Sequence, residues 1–479
     1  MSTKCNRESY DFGRVEGRRL VADFGGGTLT SNSGALLLRQ AAKATGLVTR
    51  LAGCFTDHRA KDRVEYGVPT LLGQRLFSLA LGCEDLNDHD ELRHDPLLAA
   101  CLDRLGAKRK DCAALAGRNT LGRLERSPSG PETLNVTRYH KISHDPAAIE
   151  RVLVELFLDA KAAAPKQIVL DLDASDIPLH GDQEGKFFHG YYGHYCYLPL
   201  YIFCGEHLLA AKLRPANIDG AAGAIEEVSR IVTQIRDRWP SVRIILRADS
   251  GFARDELMTW AEDNKVDYLF GLAKTKRLIT KICPELDQAR ADMDKTGVTA
   301  RVFADFTWST LKSWSAKRRV VAKAEVLPPT NETSSDPEKP NPGKANPRFV
   351  VTSLDAEEHD AKALYEKLYC ARGDMENRIK DKQLDLFGTR TSAASMRANQ
   401  LRLWLSGFAY TLIKALQRIA LAGTAFENAS PQRLRLNLLK IAAQVTLSAR
   451  RLRAAMTSAC PHKDEFTIAY QKLAELKAF

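Results

Sequence analysis

The spacing of hydrophobic residues predicts a mainly helical region over residues 1–150. Apolar positions recur at helical spacing in Ser33–Phe55 and again in Val68–Leu92, where the pattern breaks near Gly82. Asp95–Gly106 begins with Asp at the position of a helix cap, continues with Pro and stops at Gly, which is typical of a short helix. This region contains no obvious catalytic cluster.

From about Lys166 the pattern changes to short apolar runs separated by turn residues. Strands alternating with helices form an α/β layer, in which the first and fourth strands are expected to be parallel neighbours. The expected elements, in chain order, are a strand at Ile168–Asp173, a polar Gly-rich loop at Asp182–Gly193, a hairpin of Tyr195–Gly205 and Glu206–Pro215, a helix carrying Ile225, Val228, Ile231, Val232 and Ile235, a strand ending at Asp249, a helix at Asp255–Asn264 and a strand at Tyr268–Ala273.

After Lys274 the regular order breaks, and a stretch rich in Val, Phe, Thr and Trp predicts β-hairpin material. Pro328–Pro347 is a Pro- and Asn-rich segment of low complexity, followed by one more strand at Arg348–Leu354. We interpret this part as a β-rich insertion into the α/β layer. Helical patterns resume at Asp360 and continue to the end of the chain.

These boundaries predict five regions. They are a helical region over 1–150, a first part of the core over 151–275, the β-rich insertion over 276–355, a second part of the core over 356–415 and a basic helical region over 416–479.

Composition restricts the class of protein. The 479 residues contain 44% hydrophobic and 27% charged residues, as in soluble globular proteins. No apolar run reaches the ~20 residues that a membrane span needs, and the N-terminus has no signal-peptide pattern. The ten cysteines show no metal-binding or disulfide spacing, which indicates reduced thiols. We therefore expect a cytoplasmic protein without a membrane partner.

The net charge of +11 is concentrated at one end of the chain. Residues 377–479 contain 17 Lys or Arg and 6 Asp or Glu, so the charges of the first 376 residues balance. A basic helical segment suggests a polyanion partner, with nucleic acid as the first candidate. A surface that only maintains solubility explains the charge equally well.

Acidic residues follow two of the predicted strands. Asp171, Asp173 and Asp176 lie at the end of the first strand, and Asp249 ends the fourth. Alone, each could be an ordinary solvated loop charge. If the two strands are parallel neighbours, however, the carboxylates at their ends face each other.

A later helical segment could bring a further acid to the same place. Tyr369, Arg372, Glu376 and Lys380 recur at helical spacing and so predict one face with a phenol, a guanidinium, a carboxylate and an amine. A solvated face of ion pairs is the alternative interpretation. Several carboxylates without Cys or His ligands suit Mg²⁺, and two such ions can promote an in-line displacement at phosphorus.

Three motifs carry a resemblance to a known family: "LDLDASDIPLHG", "RADSGF" and "YCARGDMENRIK…RTS…ANQLR". Together they resemble the DDE transposases of bacterial insertion sequences, and more narrowly the insertion-sequence 1380 group. The first acid of the family matches Asp173, because Ser175 follows two residues later, and Asp171 remains a second candidate. The second and third acids match Asp249 and Glu376.

The helix of that branch has the signature Tyr-x2-Arg-x3-Glu-x6-Lys. Tyr369, Arg372 and Glu376 match it, whereas Gln383 occupies the lysine position, with Lys380 and Lys382 nearby. We predict that Tyr369, Arg372, Lys380 and Lys382 contact DNA, with Arg372 and Lys380 at the phosphate backbone.

The resemblance implies a fold, an activity and partners. The fold is α/β, with a ribonuclease H-like catalytic core interrupted by a β-strand-rich insertion and flanked by helical N- and C-terminal regions. The activity is cleavage and joining of DNA strands with two Mg²⁺ ions, for which Mn²⁺ can substitute. The partners are double-stranded DNA, as terminal inverted repeats and target, and a second copy in a homodimer that pairs the two ends. The location implied is the bacterial cytoplasm, at the nucleoid.

Further residues are candidates for DNA contact. Arg118 and Arg123 lie in Leu115–Ser127, which looks like a turn followed by a recognition helix, although any basic surface helix could look the same. Trp308 and Trp314 could stack on an unpaired base, or one of them could belong to the core. The spacing of a zinc site is not found among the histidines of this part of the chain, which are His180, His189, His194 and His207.

Two other functions remain open from the sequence. One is a domesticated DNA-binding protein without catalysis, and the other is a metal-dependent nuclease of the same fold without strand transfer.

Overall fold

The computed structural model describes residues 9–129, 140–329 and 343–476. These residues form two compact units. The central unit comprises Ala147–Gln383 and Gly388–Gly407, and the terminal unit comprises Met1–Pro146, Leu384–Phe387 and Phe408–Phe479. Of the predicted low-complexity segment, residues 330–342 lie outside the described residues.

The strands are β1 (Ser9–Val15), β2 (Arg18–Asp23), β3 (Leu29–Thr30), β4 (Phe55–Asp57), β5 (Ile142–His144), β6 (Gln167–Ala174), β7 (Ile177–Pro178), β8 (Phe187–His189), β9 (His194–Tyr197), β10 (Leu200–Cys204), β11 (His207–Lys212), β12 (Arg243–Ala248), β13 (Asp267–Leu272), β14 (Ala300–Trp308), β15 (Arg318–Leu327), β16 (Lys344–Ala345), β17 (Arg348–Thr352), β18 (Ala443–Leu447) and β19 (Leu452–Met456).

The α-helices are α1 (Ala35–Thr45), α2 (Leu47–Gly53), α3 (Val68–Ala80), α4 (His89–Leu92), α5 (Pro96–Cys101), α6 (Arg118–Glu125), α7 (Pro146–Asp159), α8 (Ala224–Arg238), α9 (Asp255–Asp263), α10 (Lys276–Lys281), α11 (Cys283–Thr296), α12 (Ala361–Ala363), α13 (Gly373–Lys380), α14 (Met396–Leu416), α15 (Pro431–Leu434) and α16 (Lys463–Glu475). Single 3-10 turns lie at Lys61–Arg63, Ser250–Phe252 and Cys370–Arg372, and π-helical segments lie at Leu364–Tyr369, Asp381–Asp385, Gln417–Leu421 and Arg435–Leu439.

A mixed nine-stranded sheet forms the centre of the central unit. Its strand order is β11-β10-β6-β12-β13-β17-β15-β14, with β16 paired to β15. Strands β6, β12 and β13 run parallel to one another, whereas β10 and β11 form an antiparallel hairpin beside β6. The first and fourth strands of the predicted layer, β6 and β12, are therefore parallel neighbours, which confirms that expectation.

Successive side chains of β6 point to opposite faces of the sheet and therefore form two sets. Leu170 and Leu172 face a large apolar core that includes Val228 and Ile231 of α8. Because successive residues of a strand point to opposite faces, Asp171 and Asp173 share the other face. On that face a smaller core contains Leu364 and Tyr365 of the π-helical segment, among other residues.

The segment predicted to be a β-rich insertion also contains helices. Strands β14, β15 and β17 appear where the sequence predicts β structure, and they extend the central sheet beyond β13. Helix α11 was not expected. It starts with Pro near its N-terminus and buries Ala289 and Met293, one helical turn apart, which is an amphipathic signal in an otherwise polar stretch.

The predicted polar loop at Asp182–Gly193 contains strand β8. This strand pairs with β9 in a small three-stranded sheet of order β7-β9-β8. Phe187 and Phe188 favour a strand, although the surrounding Gly and charged residues are typical of a loop.

The terminal unit is helical in part, and strands appear at both of its ends. The exposed hairpin β1–β2 and the hairpin β18–β19 lie in regions predicted to be helical. In the second case, Ala443 and Val445 are buried and Gln444 and Thr446 exposed, so the alternation of a strand overrides helix propensity. Gly82 ends helix α3 with φ of 92°, in the left-handed region, close to the predicted break.

Within residues 9–129, 140–329 and 343–476, no helix is both long and apolar enough to cross a membrane. The nine cysteines of the described part of the chain are all free thiols.

Candidate active site

Asp173 lies near the end of strand β6 and is largely buried, with 8% of its surface exposed. Its Oδ2 accepts a hydrogen bond of 2.7 Å from the Ser175 hydroxyl, two residues later, and its Oδ1 forms an ion pair with Arg372. The carboxylate is therefore oriented from both sides.

Asp249 follows strand β12 directly and lies at the edge where the parallel strands β6 and β12 both end. Its Oδ1 accepts a 2.8 Å hydrogen bond from the backbone N–H of Gly251, which fixes the turn after the strand. About half of the side chain remains exposed, at 48%. This exposure leaves the other carboxylate oxygen accessible to a ligand.

Glu376 lies on helix α13, and Arg372 joins it to the two aspartates. Arg372 Nη1 is 3.2 Å from Glu376 Oε1, and Nη2 is 3.9 Å from Asp249 Oδ2. Because Nη2 also contacts Asp173, three acidic residues from separate segments converge on one guanidinium. Burial lowers the pKa of Arg372, but the surrounding carboxylates, led by Asp173, outweigh it and raise the pKa above its ordinary value.

The pKa of Asp173 is raised above its ordinary value. Burial is the largest cause, and the negative charges of Asp249 and Glu376 add to it, whereas Arg372 and Ser175 act in the opposite direction. The ionised form of Asp173 is thus held at a cost in free energy, which a positively charged ligand would reduce.

Asp171 has a different environment. It is 1% exposed, and both of its oxygens accept hydrogen bonds from Arg247 on the neighbouring strand, at 2.5 and 2.8 Å. The register of β6 and β12 places these two residues directly opposite each other. Asp171 is therefore fully occupied by a buried ion pair, and Asp173 is the carboxylate beside Asp249 and Glu376.

Tyr369 packs over strand β13 at a position that only glycine permits. A Cβ on Gly271 would lie 2.5 Å from Tyr369 Oη and 2.9 Å from the backbone nitrogen of Ser250. Tyr369 is partly buried, and burial raises its pKa. The phenol is thus held beside the turn that carries Asp249, and Gly271 is a supporting residue that the sequence did not indicate.

The two lysines near the signature position differ in exposure. Lys380 is exposed at the end of α13, whereas Lys382 is fully buried, with its Nζ 4.9 Å from the centre of the Tyr201 ring. Burial lowers the pKa of Lys382 to about 7. A DNA backbone contact requires an accessible ammonium group, so this placement does not agree with the DNA-contact prediction for Lys382. Gln383 is half-buried.

Trp308 and Trp314 are partly buried against the core of the central unit. Arg277 lies over the Trp308 ring at 4.7 Å, and Arg318 lies 5.8 Å from the Trp314 ring. Each ring therefore already has an apolar side and a cationic neighbour.

Arg118 and Arg123 lie on helix α6 in the terminal unit. Arg118 contacts Asn87 and Asp90. Arg123 lines a cavity of about 230 Å³ together with Arg59, Arg63 and Lys141, among other residues. Of these, Arg59 is held by Asp57, and Arg63 is 85% exposed and 3.8 Å from Asp62.

The chemistry of the carboxylates suits a hard divalent cation. Carboxylate oxygens and a local excess of negative charge are what Mg²⁺ prefers. Among residues 9–129, 140–329 and 343–476, however, no three side chains of metal-binding type are grouped closely enough to hold an ion. The three acids surround the Arg372 guanidinium, which supplies positive charge here. The three acids fit such a cation by ligand type and charge, whereas in this arrangement they contact Arg372 in place of an ion.

Comparison with known proteins gives a family. A cryo-EM structure of the piggyBac transposase synaptic complex with hairpin DNA is similar at a TM-score of 0.38 and 12% sequence identity, over 85% of this chain and 79% of that chain. No curated protein matches the sequence. The family model described as transposase DDE domain group 1 matches residues 12–478, nearly the whole chain. The chain belongs to the transposase DDE domain group 1 family.

Proposed function

We propose that the protein is a cut-and-paste DNA transposase, similar to the insertion-sequence 1380 group, with Asp173, Asp249 and Glu376 as its catalytic acids. The observation that carries this proposal is their convergence on Arg372. The enzyme would bind the terminal inverted repeats of its element, cleave the strands at the junction and join the freed ends to target DNA. Both ends must be held together, so we propose a homodimer in the paired-end complex.

The topology supports a ribonuclease H-like core. Strands β11, β10 and β6 form an antiparallel arrangement, and β12 and β13 continue the sheet in parallel beyond β6. If these five strands are numbered along the chain, their order across the sheet is 3-2-1-4-5. The first two acids lie at the ends of the first and fourth strands. We propose that β14, β15 and β17 with α10 and α11 form the insertion before the third acid.

In the proposed mechanism, Asp173, Asp249 and Glu376 would hold two Mg²⁺ ions, for which Mn²⁺ could substitute. When bound, such ions supply activation of the attacking oxygen and stabilisation of charge on the leaving oxygen. Ser175 orients Asp173 through its 2.7 Å hydrogen bond. The backbone N–H of Gly251 orients Asp249 in the same way.

Arg372 and the exposed Lys380 would contact the phosphate backbone of the DNA. A guanidinium presents a planar set of donors that matches a phosphate better than an ammonium does. Tyr369, fixed by its packing over Gly271, would limit where the strand lies relative to Asp249.

The test is cleavage of a labelled duplex that spans the junction of the element's terminal repeat and the adjoining DNA. Purified protein with Mg²⁺ is expected to nick the junction and to convert the nick into a hairpin or a joined product. Chelation of Mg²⁺, or the change Asp249→Ala, is expected to abolish the reaction. A nick without any joined product would favour a nuclease, and binding without cleavage in either Mg²⁺ or Mn²⁺ would favour a non-catalytic DNA-binding protein.

We further propose that the basic cavity in the terminal unit contacts the DNA backbone of the element ends. Its cationic lining, Arg59, Arg63, Arg123 and Lys141, lies within the region predicted to bind DNA ends. Arg63 extends into solvent at 85% exposure, so it can reach a phosphate without a rearrangement of the fold.

The change Arg63→Ala is expected to weaken binding of the end duplex several-fold and to reduce the slope of log affinity against log salt by about 1. Arg109→Ala is a matched control, because Arg109 is 61% exposed and 3.7 Å from Asp111, much as Arg63 is near Asp62. Affinity measured by fluorescence anisotropy over a salt series checks this. Equal effects of the two changes would contradict a specific role for the cavity.

The raised pKa of Asp173 predicts a pH dependence of stability. Because the folded protein binds this proton more tightly than the unfolded chain, the contribution of Asp173 to stability falls as pH rises from about 4 through the raised pKa. Wild type is therefore expected to lose thermal stability relative to Asp173→Asn as pH rises to 7 without divalent cations. Thermal unfolding of both proteins across this pH range measures the difference between their unfolding midpoints. A difference that stays constant with pH would contradict the prediction.

A further inference from the structure

The small sheet beside the carboxylates presents aromatic rings to solvent. We define the aromatic hairpin as Phe187–Tyr197, which contains β8, the turn at Gly190–Gly193 and β9. Phe188 is 56% exposed, Tyr191 87% and Tyr195 49%. Large aromatic side chains that stay this exposed in one short segment are a sign of a binding surface.

Pairing between the strands places two of these rings together. Phe188 and Tyr195 are directly opposite each other in the register, and their ring centres are 5.6 Å apart. Tyr191, at the turn, contacts the ring of Tyr192 at 5.0 Å. Both ring pairs meet edge to face, at interplanar angles of 77° and 87°. Phe188, Tyr191 and Tyr195 therefore lie along one hairpin, and each keeps about half or more of its surface exposed.

The hairpin is attached to the segment that carries Asp173. The hydroxyl of Tyr192 donates to the carbonyl of Ala174 at 3.3 Å, and His194 Nε2 lies 2.8 Å from Asp176 Oδ2. Burial raises the pKa of Tyr192 to about 12, and the nearby carboxylates of Asp176 and Asp173 add to the shift. These contacts fix the hairpin within a few residues of the catalytic acid.

A positive charge accompanies the rings. Lys186 Nζ lies 4.8 Å from the centre of the Tyr195 ring, in cation–π geometry, and it also forms a long ion pair of 3.5 Å with the exposed Asp182. Aromatic faces beside a cation match a nucleotide, in which a flat base is joined to a phosphate. A purely apolar protein surface would not require the lysine.

We propose that the aromatic hairpin stacks on unpaired bases of the DNA strand that enters the carboxylate site. The inference rests on the proposed function, since it assigns a position for the strand at that site. Phe188, Tyr191 and Tyr195 stack on bases, and Lys186 contacts the adjoining phosphate. Strand cleavage next to a duplex end leaves such bases exposed, and stacking lowers the cost of keeping them unpaired.

The test separates base stacking from charge. Fluorescence anisotropy compares a labelled oligothymidylate of about 12 nucleotides with an abasic oligonucleotide of equal length and charge. Wild type is expected to bind the oligothymidylate about tenfold more tightly, and Phe188→Ala or Tyr195→Ala to remove most of that difference. Tyr195→Phe, which keeps the ring, should bind like wild type. Tyr470→Ala, which removes a 58% exposed ring elsewhere, is the matched control.

Photocrosslinking locates the contact directly. A 5-iodouracil in place of thymine forms a covalent bond with an aromatic ring on which it stacks, and peptide mass spectrometry is expected to find the adduct within Phe187–Tyr197. Adducts only elsewhere would overturn the proposal, as would equal binding of both oligonucleotides by wild type. Dissociation of a DNA-free dimer by Tyr195→Ala would also overturn it, because the rings would then cover a second copy.

Failure of this inference differs from failure of the proposed function. Glu376→Gln is expected to bind the oligothymidylate like wild type although it does not cleave. If wild type stacks on bases but cleaves no junction, the transposase proposal fails and the base-stacking surface stands. If Tyr195→Ala cleaves the junction normally and also binds both oligonucleotides like wild type, only the base-stacking proposal is refuted.

Discussion

The change Glu376→Gln is expected to lower the rate of junction cleavage by at least about a thousandfold. Under the proposed assignment, loss of this carboxylate charge would remove a cation ligand and several kcal/mol of stabilisation of the transition state. Each ~1.4 kcal/mol corresponds to a tenfold change in rate. The side chain is 55% exposed and its only ion pair in the cluster is with Arg372, so the fold should not change. Binding of the end duplex should therefore stay nearly the same.

Asp374→Asn provides a matched control on the same helix. Asp374 is exposed and lies two residues from Glu376, but it is not among the acids around Arg372. The Asp374→Asn variant should cleave the junction at the wild-type rate under single-turnover conditions. Cleavage by Glu376→Gln at the wild-type rate would contradict its assignment as a catalytic acid, and loss of binding by a folded Glu376→Gln protein would show that the residue acts in DNA recognition.

The change Asp171→Asn is expected to destabilise the central unit by about 3–5 kcal/mol, because it leaves the Arg247 charge buried without its partner. Arg247 is 7% exposed, so water cannot replace the lost carboxylate. For a unit of this size the midpoint of thermal unfolding should fall by about 10 °C. Differential scanning calorimetry at pH 7 measures the shift.

Asp173→Asn is the comparison that distinguishes the two aspartates. It removes a carboxylate whose ionised form is disfavoured by burial, so its unfolding midpoint should stay close to that of wild type or rise. Replacing both Asp171 and Arg247 with apolar residues of similar volume should recover part of the lost stability. If Asp171→Asn were as stable as wild type and lacked only cleavage, Asp171 would be the better candidate for the first acid.

Much of the central unit could be predicted from the chain. The apolar runs of β6, β12 and β13 and the amphipathic pattern of α8 are strong local signals, and their order determines an α/β layer. Acids at the ends of two parallel neighbours then have to lie at one edge. This is why the strand-end aspartates could be grouped with Asp249, and helical spacing added Glu376, whereas the choice of Asp173 over Asp171 rested on the family resemblance.

Other parts of the site depend on contacts that no local pattern contains. The pairing of Asp171 with Arg247 follows from the register of two strands more than 60 residues apart. The need for glycine at 271 arises from the approach of Tyr369, about 100 residues later. Burial of Lys382 likewise depends on tertiary packing, since its neighbours in sequence are polar.

The aromatic hairpin escaped prediction for a different reason. Its strands are three and four residues long, and the Gly residues between them are typical of loops. Short strands are specified by their cross-strand partners more than by their own sequence.

Hydrogen bonding runs without a break from β6 through β12, β13 and β17 to β15 and β14. Strand β17 bonds to β13 on one side and to β15 on the other, and β14 pairs with β15 over the whole of Ala300–Trp308. Strands β14, β15 and β17 therefore cannot move away from the rest of the sheet without breaking these hydrogen-bonded ladders. Trp308, at the end of β14, is thus held at a fixed distance from Asp249. Under the proposed function, a DNA contact at Trp308 would therefore set the number of nucleotides between that contact and the cleaved bond.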